Sequence, residues 1–196
     1  PAPEVSAGTV DLGDLAGFRR SDTVSYGGFI RIEGAPNGAV IARMNPAEAF
    51  RGWDLWLQQG KPGAHIIDSW DKSANKIIAP DPLKPATWHH VFITFDGTKA
   101  GHQAIAIHID GKRVNAGPSP NTVGGNIETT VPLQLGSRHG GDSRLTGGKV
   151  ALQDFRFYRR LLSPAEIESL AKTSLLRHIL ALPADQRTKE QSATLF

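Results

Sequence analysis

Apolar residues alternate with polar ones along most of the chain, and the alternation is clearest in two neighbouring segments, Trp88–Phe95 and Gln103–Asp110. Successive side chains of a strand point to opposite faces, so this period of two predicts two β-strands that share one apolar face. Asp110-Gly111 follows the second strand, and this dipeptide favours the positive backbone angles of a tight turn. The apolar face is formed by Val91, Ile93, Phe95, Ile105, Ile107 and Ile109.

The same pattern predicts further strands on either side of this pair. A short edge strand is expected within Pro1–Asp22, and Asn37-Gly38 predicts a hairpin turn between two of the strands. Gly27-Gly28 indicates a bulge or a close approach of two backbones. The predicted strands are Val24–Glu33, Ala39–Met44, Gly52–Gln58, Ala64–Trp70, Lys76–Ala79, Val131–Gly136 and Gly148–Tyr158.

The period changes to that of a helix at Ser163. Ser163 and Glu166 form a capping box with proline between them, and the helical spacing continues to about Leu182, before Pro183. A second helix is predicted to begin near Thr188. We therefore expect an all-β, two-sheet antiparallel sandwich with a C-terminal helix, whose Ile167, Leu170 and Leu176 stripe packs on the outside of the sheets.

Composition excludes several classes of protein. The 196 residues suffice for one β-sandwich domain, and no apolar run is long enough for membrane insertion. The chain has no cysteine, which removes disulfides, thiol nucleophiles and cysteine-based zinc sites from this segment. The net charge of +3 is small and the basic residues are scattered, so we expect no nucleic-acid partner.

Several motifs carry a resemblance to a known family. The Trp-His-His-Val strand at Trp88, the Ile-Asp-Gly-Lys turn at Ile109 and the Asp-Phe-Arg-Phe-Tyr run at Asp154 resemble laminin-G-like domains of the concanavalin A-like lectin/glucanase superfamily. The resemblance implies a jelly-roll topology and a binding module, because most members bind and do not catalyse. It also implies a boundary, with the sandwich in residues 1–162 and a helical extension in residues 163–196 that leads into a following domain.

The C-terminal segment extends this resemblance. Residues 180–196, with Leu-Pro-Ala-Asp-Gln-Arg-Thr, and the Gly-Trp-Asp-Leu-Trp-Leu strand at Gly52 are similar to planctomycete surface proteins. In those proteins a laminin-G-like module stands between domains of unknown function and often follows a cytochrome-c-like segment. The similarity implies a larger parent protein and an extracytoplasmic location, either periplasmic or at the cell surface.

The predicted strands lack the paired carboxylates that glycan-cleaving enzymes use. Glycanases of this superfamily resemble one another in a strand that presents two carboxylates on one face, and no predicted strand here carries such a pair. Glu166 and Glu168 open a helix, where capping explains them. His89 and His90 point to opposite faces of their strand and cannot chelate one ion together. We therefore predict that the chain is not an enzyme.

Calcium is the one metal that the resemblance implies. Many members bind Ca²⁺ at the rim through aspartate side chains and loop carbonyls, which suit a cation that prefers oxygen ligands. The aspartate of the family's closing strand falls on Gln153 here, and Asp154 is the neighbouring candidate. Asp154 would bind Ca²⁺ only if a local bulge turned its side chain, and a structural role is the alternative.

Aromatic residues suggest where a sugar would bind. Trp53 and Trp56 point to opposite faces of one strand, so at least one of them can lie outside the core, while Trp88 is expected in the core. A sugar ring stacks on an aromatic face surrounded by hydrogen-bonding groups. His65 and His108 are on strands that could bring them to Asp54 or Asp68. The predicted carbohydrate-binding residues are Trp56, Asp54, Gln58, His65, Trp70 and His108.

These observations favour a non-catalytic binding module of a larger extracytoplasmic protein, with a polysaccharide or glycan as ligand. The alternative is a structural module that docks against neighbouring domains of its parent protein and binds no glycan. Such a module would expose a broad apolar patch, expected around the terminal helix and Leu195-Phe196. A glycoside hydrolase is disfavoured by the missing carboxylate pair.

Overall fold

The computed structural model describes residues 9–117 and 122–194, and the side chains of 174–178, 180, 181, 190 and 194 also lie outside the description. Within these residues the strands come first along the chain, and both α-helices follow them. The strands are β1 (Val10–Asp11), β2 (Thr23–Asn45), β3 (Arg51–Gln58), β4 (Lys61–Ser69), β5 (Ser73–Ile78), β6 (Trp88–Asp96), β7 (Ile105–Ile109), β8 (Lys112–Arg113), β9 (Gln134–Leu135) and β10 (Thr146–Tyr158). The helices are α1 (Pro164–Ala181) and α2 (Lys189–Thr194).

Two antiparallel sheets share the long strand β2. Its first half pairs with β6 and β10 in sheet A, whose order is β10-β2-β6-β7-β8. Its second half pairs with β3 and β9 in sheet B, whose order is β1-β9-β2-β3-β4-β5. The all-β sandwich with a C-terminal helix is therefore confirmed, with one strand passing from one sheet to the other.

The predicted hairpin at Asn37-Gly38 is wrong, because β2 runs through both residues without turning back. Gly34 and Gly38 have φ of 74° and 138°, and a Cβ on Gly38 would lie 2.6 Å from the carbonyl oxygen of Arg144. Asn-Gly is a turn signal because it tolerates positive φ. Here the same tolerance lets one strand bend between two sheets and lets a neighbouring loop approach closely.

Apolar side chains from the facing sides of the two sheets fill the core. Tyr26 of sheet A and Trp53 of sheet B lie in contact, with ring centroids 4.6 Å apart, and both side chains are buried. The predicted apolar face of β6 and β7 is confirmed, because its six residues all belong to or pack against this core. The predicted close approach at Gly27 is also confirmed, since a Cβ there would lie 2.1 Å from the Val91 carbonyl oxygen.

Helix α1 covers part of the outer face of sheet A. Ser163 and Glu166 form the predicted capping box, which satisfies backbone N–H groups at the first turn. Ile167 is fully buried and packs with Leu162 against Phe92 of β6, while Leu170 is at the edge of this cluster. The side chain of Leu176 lies outside the description. Neither described helix is long and apolar enough to cross a lipid bilayer.

Candidate functional site

The outer face of sheet B carries polar and aromatic side chains in rows across its strands. Residues that pair across neighbouring strands point to the same face, and one row runs from Ala39 through Trp56 and Gly63 to Ile78. The next row consists of Ala42, Asp54, His65 and Lys76. Trp56 therefore has a small residue on each side, and the acid and the histidine lie in the adjacent row.

Asp54 is at the centre of a buried ionic network. Its Oδ1 is 2.8 Å from Nδ1 of His65, and Oδ2 accepts hydrogen bonds from Nε and Nη2 of Arg138 at 3.0 and 2.7 Å. The side chain of Asp54 is 0% exposed. Burial opposes its ionisation, but the charges and hydrogen bonds of His65 and Arg138 outweigh burial and lower the pKa of Asp54. The carboxylate is thus held ionised and paired.

The guanidinium of Arg138 also lies among three aromatic rings. Its Cζ is 4.7 Å from the ring centroid of Trp56, 5.1 Å from that of Trp70 and 5.3 Å from that of Phe50. The loop that carries Arg138 binds the sheet at a further point, because the backbone N–H of Ala39 donates to the Ser143 carbonyl. Ionic and cation–π contacts together fix both the loop and the rings.

The structure brings together most of the predicted carbohydrate-binding residues. The ring of His65 lies between those of Trp56 and Trp70, with centroid distances of 5.7 and 5.1 Å. Trp56 and Trp70 are half-buried, whereas Asp54 and His65 are buried beneath Arg138. Gln58 is exposed at the end of β3. The tryptophans and Gln58 can therefore contact a ligand, and Asp54 and His65 can position the rings.

His108 does not join this group. It lies on β7 in sheet A, where it pairs with Phe92, while Asp54 and His65 lie on β3 and β4 of sheet B. The alternation along β7 places His108 correctly on an outer face. The sequence could not decide which of the two sheets would contain β7, and that choice separates the two histidines.

Three residues of the site were missed by sequence reasoning. Arg138 lies in a glycine-rich loop with no periodic pattern, and Phe50 follows a short 3-10 helix at Pro46–Glu48. Lys76 places its Nζ 4.3 Å from the ring centroid of Trp70. The sequence predicted the strand that contains Lys76, but only the pairing of this residue with His65 shows that it faces the platform. No local signal identifies Arg138, which reaches the sheet only through tertiary contacts.

Of the other two tryptophans, Trp53 lies in the core, whereas Trp88 does not lie in the core that the sequence predicted for it. Trp53 is a core residue, and its indole N–H donates to the Ala16 carbonyl at 3.0 Å. Trp88 was expected in the core but is only half-buried, with the guanidinium of Arg31 5.9 Å from its ring centroid. Trp88 is the first residue of β6, where it pairs with Arg31 of β2 at the end of the strand.

The histidines on the outer face of sheet A have a different environment from that of His65 on sheet B. His90 stacks on Phe92 at a centroid distance of 5.2 Å, and His90 and His108 are each 4% exposed. The Nδ1 atoms of both have no hydrogen-bond partner among the described residues. Burial lowers the pKa of each histidine to about 4. Both imidazoles are therefore neutral near pH 7.

Asp154, the calcium candidate, lies in the local bulge that this role requires, but its carboxylate is paired with Arg156. It lies in a bulge of β10 with φ of 51°, and its two carboxylate oxygens accept hydrogen bonds from Nε and Nη2 of Arg156, each at 2.9 Å. Among the described residues no three acidic or histidine side chains form a candidate metal group. Ca²⁺ takes several oxygen ligands, which include backbone carbonyls, so the calcium role of Asp154 stays a prediction.

Comparisons with known proteins agree with this fold. The sequence profile of the concanavalin A-like lectin/glucanases superfamily, laminin G type, matches residues 6–168. No functionally curated protein matches the chain in sequence.

Similar solved structures are binding domains of clostridial toxins. The binding domain of botulinum neurotoxin serotype G has a TM-score of 0.63 at 16% identity, with 85% of this chain and 40% of that chain covered. The serotype D ligand-binding domain in complex with N-acetylneuraminic acid has a TM-score of 0.61 at 16% identity, covering 86% and 40%. The binding domain of Paraclostridial mosquitocidal protein 1 has a TM-score of 0.60 at 16% identity, covering 85% and 41%. This chain thus spans about two fifths of those domains, and the likeness concerns the fold.

Proposed function

Because the chain belongs to the concanavalin A-like lectin/glucanases superfamily, we propose that it is a non-catalytic module that binds carbohydrate on the outer face of sheet B. The module belongs to a larger extracytoplasmic protein, and its ligand is a polysaccharide or glycan. The three similar structures reported above are named as binding domains, and one of them is in complex with a sugar acid, which supports this class of function.

The observation that carries the proposal is the rigid aromatic pair Trp56 and Trp70. Sugars stack their C–H faces on aromatic rings, and a ring fixed before binding loses little conformational entropy when the ligand arrives. Arg138 fixes both rings, and the buried carboxylate of Asp54 fixes Arg138 in turn. The platform is therefore supported by buried charged groups that hold the two rings in place before a ligand arrives.

Polar groups around the platform supply hydrogen-bonding capacity. Gln58 is exposed beside Trp56, and Lys76 of β5 places its Nζ 4.3 Å from the ring centroid of Trp70. An amide and an ammonium group together donate to and accept from sugar hydroxyls. This mixture is suited to a neutral or weakly charged polysaccharide chain that lies across the strands.

A glycan array with the purified domain tests the proposal. Trp56→Ala removes the platform ring, and we expect it to abolish saturable binding while circular dichroism and the melting temperature show a folded protein. Trp88→Ala is the matched control, because Trp88 is also half-buried but lies in sheet A. Binding that survives Trp56→Ala, or that Trp88→Ala removes equally, would contradict this placement of the site.

Docking against a neighbouring domain is the second candidate function, and one observation favours it. Val10, Leu12 and Leu15 are exposed by 51%, 37% and 56%, and they follow one another at the edge of sheet B. Leu195-Phe196, also expected in a docking patch, lies outside the described residues. If the parent protein buries this segment, hydrogen exchange at residues 10–15 will be slower in the parent than in the isolated domain.

The extracytoplasmic location is a proposal that follows from the family resemblance. Cell fractionation of the native source, with an antibody against this domain, tests it directly. Recovery of the parent protein with the cytoplasmic fraction would contradict the location, whereas it would leave the carbohydrate assay unaffected.

A further inference from the structure

A cavity of about 340 Å³ opens at one end of the sandwich, away from the aromatic platform. Arg43 of β2 pairs with Trp53 of β3, and both side chains point to the core side of sheet B, whereas Trp56 points to the outer side. Small-molecule sites have volumes from roughly 300 to 1,000 Å³, so this cavity has room for one small ligand or sugar residue. The residues that line its polar side are Arg19, Asp22, Arg43, Glu128, Thr129 and Arg159.

Arg43 is a buried charge that the fold holds in the cavity wall. Its side chain is 9% exposed, Nη1 donates to the Leu15 carbonyl at 2.8 Å, and Nη2 donates to the Thr129 carbonyl at 2.9 Å. These two carbonyls belong to the two loops that form the cavity walls. The guanidinium has more N–H donors than these contacts use, so it can bind a further acceptor.

The present carboxylate partner of Arg43 is weakly held. Nη1 also pairs with Asp14, whose side chain is 89% exposed. An ion pair with so exposed a partner contributes little stability, because solvent screens it and the aspartate loses side-chain entropy. A ligand carboxylate can therefore compete for the guanidinium at small cost, and Asp14 can turn to solvent.

The cavity lining combines guanidinium groups with carboxylates. Three arginines, Arg19, Arg43 and Arg159, face two acids, Asp22 and Glu128. Arg19 and Glu128 approach only to 3.7 Å and are exposed by 75% and 55%, so both keep hydrogen-bonding capacity. The excess of one positive charge suits a ligand with one carboxylate, and the two acids can accept hydrogen bonds from hydroxyl groups.

We propose that this cavity binds a single acidic sugar residue, with its carboxylate on Arg43 and Arg159 and its hydroxyls on Asp22 and Glu128. A neutral hexose would leave the guanidinium N–H groups without an acceptor. A simple inorganic anion would use the arginines and gain nothing from the acids. The combination of groups therefore selects a sugar that carries both a carboxylate and several hydroxyls.

Nuclear magnetic resonance titration of the whole chain with glucuronate, glucose and sulfate separates these cases. We expect glucuronate to shift amide signals of residues 17–22 and 127–129 with saturation by about 20 mM, a range typical of weak small-ligand binding. Glucose and sulfate should bind at least about tenfold more weakly, because each satisfies only part of the lining. Equal binding of glucose, equal binding of sulfate, or no saturable shift with glucuronate would each overturn the proposal.

Substitutions at the cavity test the location without removing the buried Arg43. Gly17→Leu fills the space, since a Cβ on Gly17 would lie 3.4 Å from Cζ of Arg43 in ordinary contact. Arg159→Ala removes one exposed guanidinium. We expect each to weaken glucuronate binding about tenfold. Gly124→Leu and Arg113→Ala are the matched controls, because neither residue lines this cavity.

The variant Trp56→Ala keeps this inference distinct from the proposed platform. Trp56 lies on the opposite face of sheet B, so its loss should leave the glucuronate titration unchanged. A glucuronate response that disappears with Trp56→Ala and survives Gly17→Leu would place the acidic sugar on the platform and overturn the cavity site.

Discussion

The outer faces of the two sheets bury titratable groups in opposite ways. On sheet B, Asp54 is fully buried and receives hydrogen bonds from both His65 and Arg138. On sheet A, His90 and His108 are almost as buried, yet their Nδ1 atoms have no partner among the described residues. One face is an ionic network that holds a loop, and the other consists of neutral imidazoles packed with aromatic rings beside α1.

This difference determines what each face contributes to the protein. A buried charge with all partners present is costly to disturb, so the network of Asp54 specifies one position for Arg138 and for the rings around it. Neutral histidines whose Nδ1 atoms have no partner among the described residues act as apolar groups near neutral pH, and they destabilise the fold when they must accept a proton. Sheet B is therefore suited to a fixed binding platform, whereas sheet A couples its stability to pH.

The largest expected effect comes from Arg138→Ala. This substitution leaves the carboxylate of Asp54 buried with only His65 as partner, and breaking a buried pair costs about 3–5 kcal/mol. Urea denaturation measures the change, and Arg144→Ala, on the same loop, is the control. A loss below about 1 kcal/mol would show that the network does not stabilise the face.

Replacing one buried histidine on each face tests whether His65 contributes more to stability than His108. His65→Leu removes a hydrogen-bond partner of a buried carboxylate, so we expect a loss of about 2–3 kcal/mol. His108→Leu removes an imidazole whose Nδ1 has no partner in the described part of the chain, so the free energy of unfolding should change by less than about 1 kcal/mol or increase. Thermal and urea unfolding of the two variants check this order, and equal losses would contradict it.

Acid should destabilise the protein through sheet A. The folded pKa values of His90 and His108 are about 4, below their ordinary value of 6.5, so the unfolded chain binds more protons between these values. Stability is fully present above about pH 6.5 and falls as the pH decreases towards 4, by more than about 1 kcal/mol at pH 5.

The titration can be assigned with variants. His108→Gln should flatten the decline, whereas His102→Gln, at an exposed histidine, should leave it unchanged. Chemical denaturation at a series of pH values gives the slope. If the slope of the free energy of unfolding against pH does not depend on His90 and His108, other titratable groups cause the acid sensitivity.

The smallest expected effect concerns the helix next to the sheet A histidines. Ser163→Ala removes the N-cap of α1 and should cost about 1 kcal/mol. Hydrogen exchange should increase at the first turn of α1 and beneath it at Phe92, with no change at Asp54. Ser143→Ala, on the sheet B side, should instead increase hydrogen exchange at Asp54 and leave exchange at α1 and Phe92 unchanged. If both variants increase hydrogen exchange equally on the two faces, the faces are not independent.

Much of the fold was predictable because local patterns carry it. The alternation at Val91, Ile93 and Phe95 and the capping box at Ser163 each depend on residues a few positions apart. Asn37-Gly38 was misassigned since a turn and a strand bend require the same backbone freedom. In the candidate site, the alternation placed Asp54 and Trp56 on one face, but the pairing of Asp54 with Arg138 joins residues far apart in the chain.

Local sequence is enough to specify the strand faces, the capping box of α1 and the absence of cysteine chemistry. These follow from side-chain period, capping rules and composition, which act over short distances. Tertiary structure alone decided that His65 meets Asp54 while His108 lies in the other sheet, and that Arg138 completes the network. Strand order and loop position are set by burial of the whole apolar surface, a property of the complete chain that no local pattern encodes.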